Sequence, residues 1–103
     1  MQFDNVSVVC KANIFFDGKV VSHTVLFSNG TKKSIGLMYP GSYTFNTVTP
    51  EKMEIISGSC KARVADESEW TAYPAGTFFK VASGSSFEMA VEEGIAEYVC
   101  SFE

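Results

Sequence analysis

The sequence predicts an all-β chain folded as a small sandwich or closed barrel, and three observations predict it. Turn signals recur at short intervals from one end to the other. The segments between them are short and rich in β-branched and aromatic residues, with apolar positions alternating at period two. No segment has the apolar spacing of a three-turn amphipathic helix, and the nearest candidate, residues 67–70, reads as a turn or loop.

Taken in order, residues 1–12 form an N-terminal extension. Val6, Val8 and Cys10 alternate there with polar or small residues, which is the pattern of an added edge strand. Residues 13–103 form the β domain. Asp17-Gly18 divides residues 14–16 from the run 20–27, and Asn29-Gly30 divides that run from residues 33–39. Both dipeptides favour the positive φ of tight hairpins. Pro40-Gly41 and Thr49-Pro50 bound a strand on which Tyr43, Phe45 and Thr47 share one face. Turns at 57–59, 74–76, 83–85 and 92–94 separate the remaining strands. Phe87, Met89 and Val91 share a face near the end of the chain, as do Tyr98, Cys100 and Phe102. A barrel or sandwich of such strands can hold one small ligand in its mouth.

Composition narrows the function. The chain has 103 residues, enough for one domain. Hydrophobic residues make up 46%, too many for a disordered chain. A net charge of −4 disfavours nucleic-acid backbones as partners. A nucleoside carries no phosphate and is not repelled, whereas a phosphate ion needs a locally basic pocket. Cys10, Cys60 and Cys100 are far apart, so they encode neither a zinc site nor a redox dithiol. An odd cysteine count with no leader pattern leads to the expectation of a reducing cytoplasm. No apolar run approaches membrane-spanning length. A homodimer is expected of a chain this small and apolar.

Two glycine-anchored spacings resemble the cupin motifs. Glu51 stands seven residues before Gly58, as at the end of the first motif. Residues 76–84 resemble the second, with Ala82 in place of its proline. The expected fold is therefore a single-domain cupin β-barrel, or jelly roll. In metal-binding cupins, a His-x-His pair precedes that Glu and a third His follows the last Gly. The matching positions here hold Phe45, Thr47 and Phe87, leaving Glu51 alone of the four ligands. That set lacks the donors a transition metal needs, so no metal is expected. The sole histidine, His23, lies on another strand. A cavity with flat aromatic walls and a few polar anchors suits a planar group such as a nucleobase. The same aromatic residues also read simply as barrel filling.

The central stretch as a whole resembles one family more closely. Its residues are Phe16-Asp-Gly-Lys-Val20, Ser34-Ile-Gly36-Leu-Met38, Gly41-Ser-Tyr43-Thr-Phe45-Asn-Thr47, Pro50-Glu51-Lys-Met53-Glu-Ile-Ile-Ser57-Gly58, Trp70, Ala75-Gly76-Thr-Phe78, Phe87 and Tyr98-Val-Cys100. They look like the small cupin-type pyrimidine/purine nucleoside phosphorylases of bacteria, over residues 14–102. The resemblance implies phosphorolysis of purine and pyrimidine nucleosides to free base and pentose 1-phosphate. It implies inorganic phosphate as co-substrate and no cofactor. The chain departs from the pattern at Ala82, and at Ser101, where a basic residue can occur. The competing reading is a non-enzymatic, metal-free cupin that binds a small metabolite.

Candidate residues follow from the former metal position. Glu51, Thr47 and Tyr43 are the catalytic candidates, with Glu51 stabilising the oxocarbenium-like sugar or bonding its hydroxyls. Phe45, Phe87 and Tyr98 are the candidates for contact with the substrate. Lys32, Lys33 and Lys80 are the candidates for holding phosphate.

Overall fold

A computed structural model describes residues 1–103 as two antiparallel β-sheets packed face to face. The strands are β1 (Ser7–Val8), β2 (Asn13–Phe15), β3 (Val20–Leu26), β4 (Lys32–Met38), β5 (Gly41–Asn46), β6 (Glu51–Ser57), β7 (Ser59–Val64), β8 (Thr71–Pro74), β9 (Phe78–Val81), β10 (Ser86–Val91) and β11 (Ala96–Phe102). The larger sheet runs β1-β3-β4-β11-β6-β9, with β2 also on β3, and the smaller runs β5-β10-β7-β8. This is the jelly-roll form: two sheets share the core, in place of one continuous closed sheet.

The turn chemistry explains the hairpins, with two adjustments. Phe15 pairs with Val20, so the Asp17-Gly18 turn is a four-residue connection containing one 3-10 turn. Phe16 and Asp17 both take positive φ there, as does Gly18. In the β3–β4 connection Phe27 N–H donates to Thr31 O, leaving a three-residue loop that ends on Gly30 at φ 88°. Such loops place glycine at the left-handed position of a bulge. Asn29 Oδ1 accepts from both the backbone N–H and the hydroxyl of Thr31, at 3.1 and 2.7 Å.

Period-two alternation turns one side of each strand inward. Val20 and Ser22 are buried on this side of β3, Met53 and Ile55 on β6, and Phe87, Met89 and Val91 on β10. Strand β11 is the spine of the larger sheet, paired with β4 on one side and β6 on the other. It carries Tyr98 and Cys100 into the space between the sheets. The extension supplies β1, pairing Ser7 with Leu26, and β2 then continues along the same edge of β3. Residues 67–70 form no helix, in agreement with the sequence.

Candidate functional site

The inner faces do not meet along their whole length. Between them lies a cavity of about 340 Å³ lined by β2, β3, β4, β6 and β11 of the larger sheet and by β5 and β10 of the smaller. Its size is that of a site for a small organic ligand.

Its two walls differ in chemistry. Phe45 and Phe87 stand opposite each other on β5 and β10, their rings stacked at 5.3 Å and 22°. Phe16 stands edge-on to Phe45, their ring centroids 5.5 Å apart, and also packs against Tyr43. Phe15 and Phe102 extend the apolar lining. On the other wall, Asn13, Ser22, Thr24 and Ser34 line the cavity from β2, β3 and β4. The Asn13 amide donates to Ser22 Oγ at 3.3 Å and to Thr24 Oγ1 at 3.2 Å.

Glu51 sits between these walls. Its Oε1 accepts a hydrogen bond from the Cys100 thiol at 3.3 Å. Burial raises the carboxyl above its ordinary value, and the thiol's bond offsets part of that rise. Burial, followed by the neighbouring carboxylate, pushes the Cys100 thiol up strongly, so it stays protonated. Burial also lifts the Tyr98 phenol to about 12, with the Ser22 hydroxyl pulling the other way. Gly36 makes room for this phenol. A Cβ at Gly36 would lie 2.9 Å from Tyr98 Cζ and 2.8 Å from Ser22 Cβ.

Of the nine residues singled out from sequence, Glu51, Phe45, Phe87, Tyr98 and Lys32 line the cavity. Four do not. The Tyr43 hydroxyl donates to the Tyr39 and Pro40 carbonyls at 2.5 and 3.2 Å, holding the turn into β5. Thr47 Oγ1 donates to Ala82 O at 2.6 Å and accepts from Ser85 N at 2.9 Å, so it clamps the 82–85 turn. Lys33 points to the outer face, over the rings of Phe3 and Phe27. Lys80 pairs across from Lys52 on the outer side of β9. Sequence reasoning missed Asn13, Ser22, Thr24 and Ser34. Ser22 and Thr24 did carry a signal: two hydroxyls on the inward positions of a strand otherwise apolar there.

The donor chemistry does not suit a transition metal. Glu51 and Cys100 are the only carboxylate and thiol lining the cavity, and no imidazole does. No three His, Cys, Asp or Glu side chains converge anywhere in the chain. His23 lies on the outer face, its Nδ1 3.3 Å from Val9 O.

Residues 10–102 match a family model described as pyrimidine/purine nucleoside phosphorylase. A protein of that name from Methylobacillus flagellatus is 59% identical, over 99% of this chain and 98% of its own length. Another, from Cupriavidus taiwanensis, is 56% identical over 99% of this chain and 96% of its own. A crystal structure of a protein of unknown function from Acinetobacter sp. ADP1 superposes with a TM-score of 0.96 at 44% identity, covering 99% and 98% of the two chains.

Proposed function

The chain belongs to the pyrimidine/purine nucleoside phosphorylase family, and on that premise we propose how its cavity does the work. The reaction cleaves purine and pyrimidine nucleosides with inorganic phosphate, giving free base and pentose 1-phosphate. The C1′–N bond breaks and its electron pair stays on the base. A phosphate oxygen forms the new C1′–O bond, and the base nitrogen takes up a proton.

One observation carries the assignment of the site. Glu51 holds a carboxyl of raised pKa in a cavity with an aromatic wall on one side and a polar wall on the other. A protonated carboxyl can give its proton to the departing base and recover one from the monohydrogen phosphate, so protons balance over the cycle. The base lies along the aromatic wall on Phe45. Phe87, stacked behind it and almost fully buried, supports that ring and does not itself sandwich the base. Tyr98 packs the floor. Enclosure between the sheets keeps water from the oxocarbenium-like sugar and holds the reactants together.

The mechanism uses no metal and no cofactor. Two copies pair through the outer face of the larger sheet, where Val21, Ile35, Leu37, Ile56 and Val99 line a second, mainly apolar groove of about 460 Å³. The enzyme acts in the cytoplasm, as a pentosyl transferase to phosphate. No helix is long and apolar enough to cross a membrane.

The test is base release from adenosine and from uridine, with and without phosphate and in the presence of a chelator. Phosphate-dependent release unaffected by chelation is the expected outcome. Release that stops on chelation and returns with a divalent ion would refute the metal-free reading.

A further inference from the structure

The reaction needs an oxyanion site, and the aromatic wall offers none. We propose that inorganic phosphate is bound by Lys32, Ser34 and Thr24, with Asn13 positioning the hydroxyl of Thr24. The inference rests on the phosphorylase reading above and adds the residues that hold its second substrate.

The sheet register brings these groups together. Thr24 and Ser34 are direct cross-strand partners on β3 and β4. Opposed residues on one face have Cβ atoms about 5 Å apart, close enough for two hydroxyls to reach different oxygens of one phosphate. Lys32 lies two residues before Ser34, so it is on the same face of the same strand. All three line the cavity, and Lys32 is its only cationic lining residue. In a chain of net charge −4, that is where an anion finds a partner.

Hydrogen-bond direction supports the assignment. Thr24 Oγ1 accepts from the Asn13 amide at 3.2 Å. An oxygen that accepts there keeps its own O–H to donate elsewhere, and a phosphate oxygen is a strong acceptor. Lys32 Nζ stands 5.2 Å from the centre of the Phe102 ring, at the cavity mouth. Phe102 is the cross-strand partner of Glu51. The phosphate therefore lies on the polar wall beside Glu51, across the cavity from the aromatic wall that takes the base. The pentose sits between them, which in-line displacement at C1′ requires.

The test is steady-state kinetics on Lys32→Met, Ser34→Ala and Thr24→Val, with Lys32→Arg as the conservative control. Thermal unfolding confirms that each variant is folded. Each of the three should raise KM for phosphate about tenfold or more while KM for the nucleoside changes little. Lys32→Arg should recover most of the loss. Asn13→Ala should raise KM for phosphate by less, since it acts through Thr24. If the wild type is active and the folded variants keep its KM for phosphate, the subsite is wrong and the phosphorylase reading stands. If the wild type releases no base in a phosphate-dependent way, both fail.

Discussion

Cys100 donates its thiol hydrogen to the Glu51 carboxylate across 3.3 Å, from the central strand of the larger sheet to its neighbour. The thiol is held protonated by burial and by the carboxylate itself. It therefore serves as a weak donor that fixes one carboxyl oxygen, leaving the other free to face the cavity.

Replacing the acid should separate chemistry from folding. Glu51→Gln removes the transferable proton but keeps the shape. Its kcat should fall about 100-fold or more, the usual scale of general acid catalysis. Turnover within twofold of wild type would take Glu51 out of the mechanism.

Stability should respond to pH through the same group. Its folded pKa lies above the ordinary 4.5, so the protonated form is the one the fold prefers. The associated stability is present below the ordinary value and is lost as pH rises through the raised one. Glu51→Gln should flatten this part of the profile, and at pH 7 it should be at least as stable as wild type. Unfolding temperatures measured from pH 4 to 8 on both proteins check this. A wild type that gains stability relative to the variant over that range would contradict it.

At high pH the phenol of Tyr98 should contribute alongside the buried thiols of Cys60 and Cys100, whose ionisation burial also opposes. Its folded value of about 12 stands above the ordinary 10.0. The Tyr98 share of stability is intact below pH 10 and declines between the two values, because the unfolded chain ionises first. Tyr98→Phe should weaken the alkaline loss. Spectrophotometric titration at the phenolate band should show one tyrosine ionising late.

Thr47→Val tests a structural role against a catalytic one. The hydroxyl bonds the backbone of the 82–85 turn and lies outside the cavity. Its loss leaves the Ala82 carbonyl and the Ser85 N–H without that partner, at a cost of about 0.5–1.5 kcal/mol. The unfolding temperature should drop while kcat/KM at 25 °C stays within about threefold. A loss of turnover with unchanged stability would restore Thr47 as a catalytic candidate.

Gly36→Ala should damage both properties. The added Cβ would meet Val21 O at 2.5 Å as well as Tyr98 and Ser22, and the backbone oxygen cannot move aside cheaply. Overpacking of this kind costs about 1–3 kcal/mol. Because Tyr98 must shift, nucleoside KM should rise too. Stability equal to wild type would show that the sheet opens more easily than its register implies.

Much of the fold was legible because turns are local chemistry. Asp17-Gly18 and Ser57-Gly58-Ser59 mark connections by their own conformational needs. The division into two sheets was less legible, since it depends on which strands pair across long stretches of chain. The site divides the same way. Alternation placed Tyr43, Phe45 and Thr47 on one face, but it does not say where along that face a cavity opens. Only Phe45 reaches it, because the hydroxyls at either end are consumed by backbone carbonyls. The difference between Lys32 and Lys33 is a single step of the pleat. Asn13, Thr24 and Ser34 were invisible as a group because each is an ordinary polar strand residue, and only the register of three strands makes them neighbours.

The end-to-end placement of β1 and β2 along β3 has a further consequence. A long unpaired strand edge is a template on which other chains can assemble without limit. Here that edge is taken up by two short pieces, Ser7–Val8 and Asn13–Phe15, with a break between them. The second piece is also the one that brings the Asn13 amide to Thr24. Protection from fibril growth and preparation of the reactive cavity are thus entrusted to the same few residues. Damage that loosens the start of this chain would threaten solubility and turnover together.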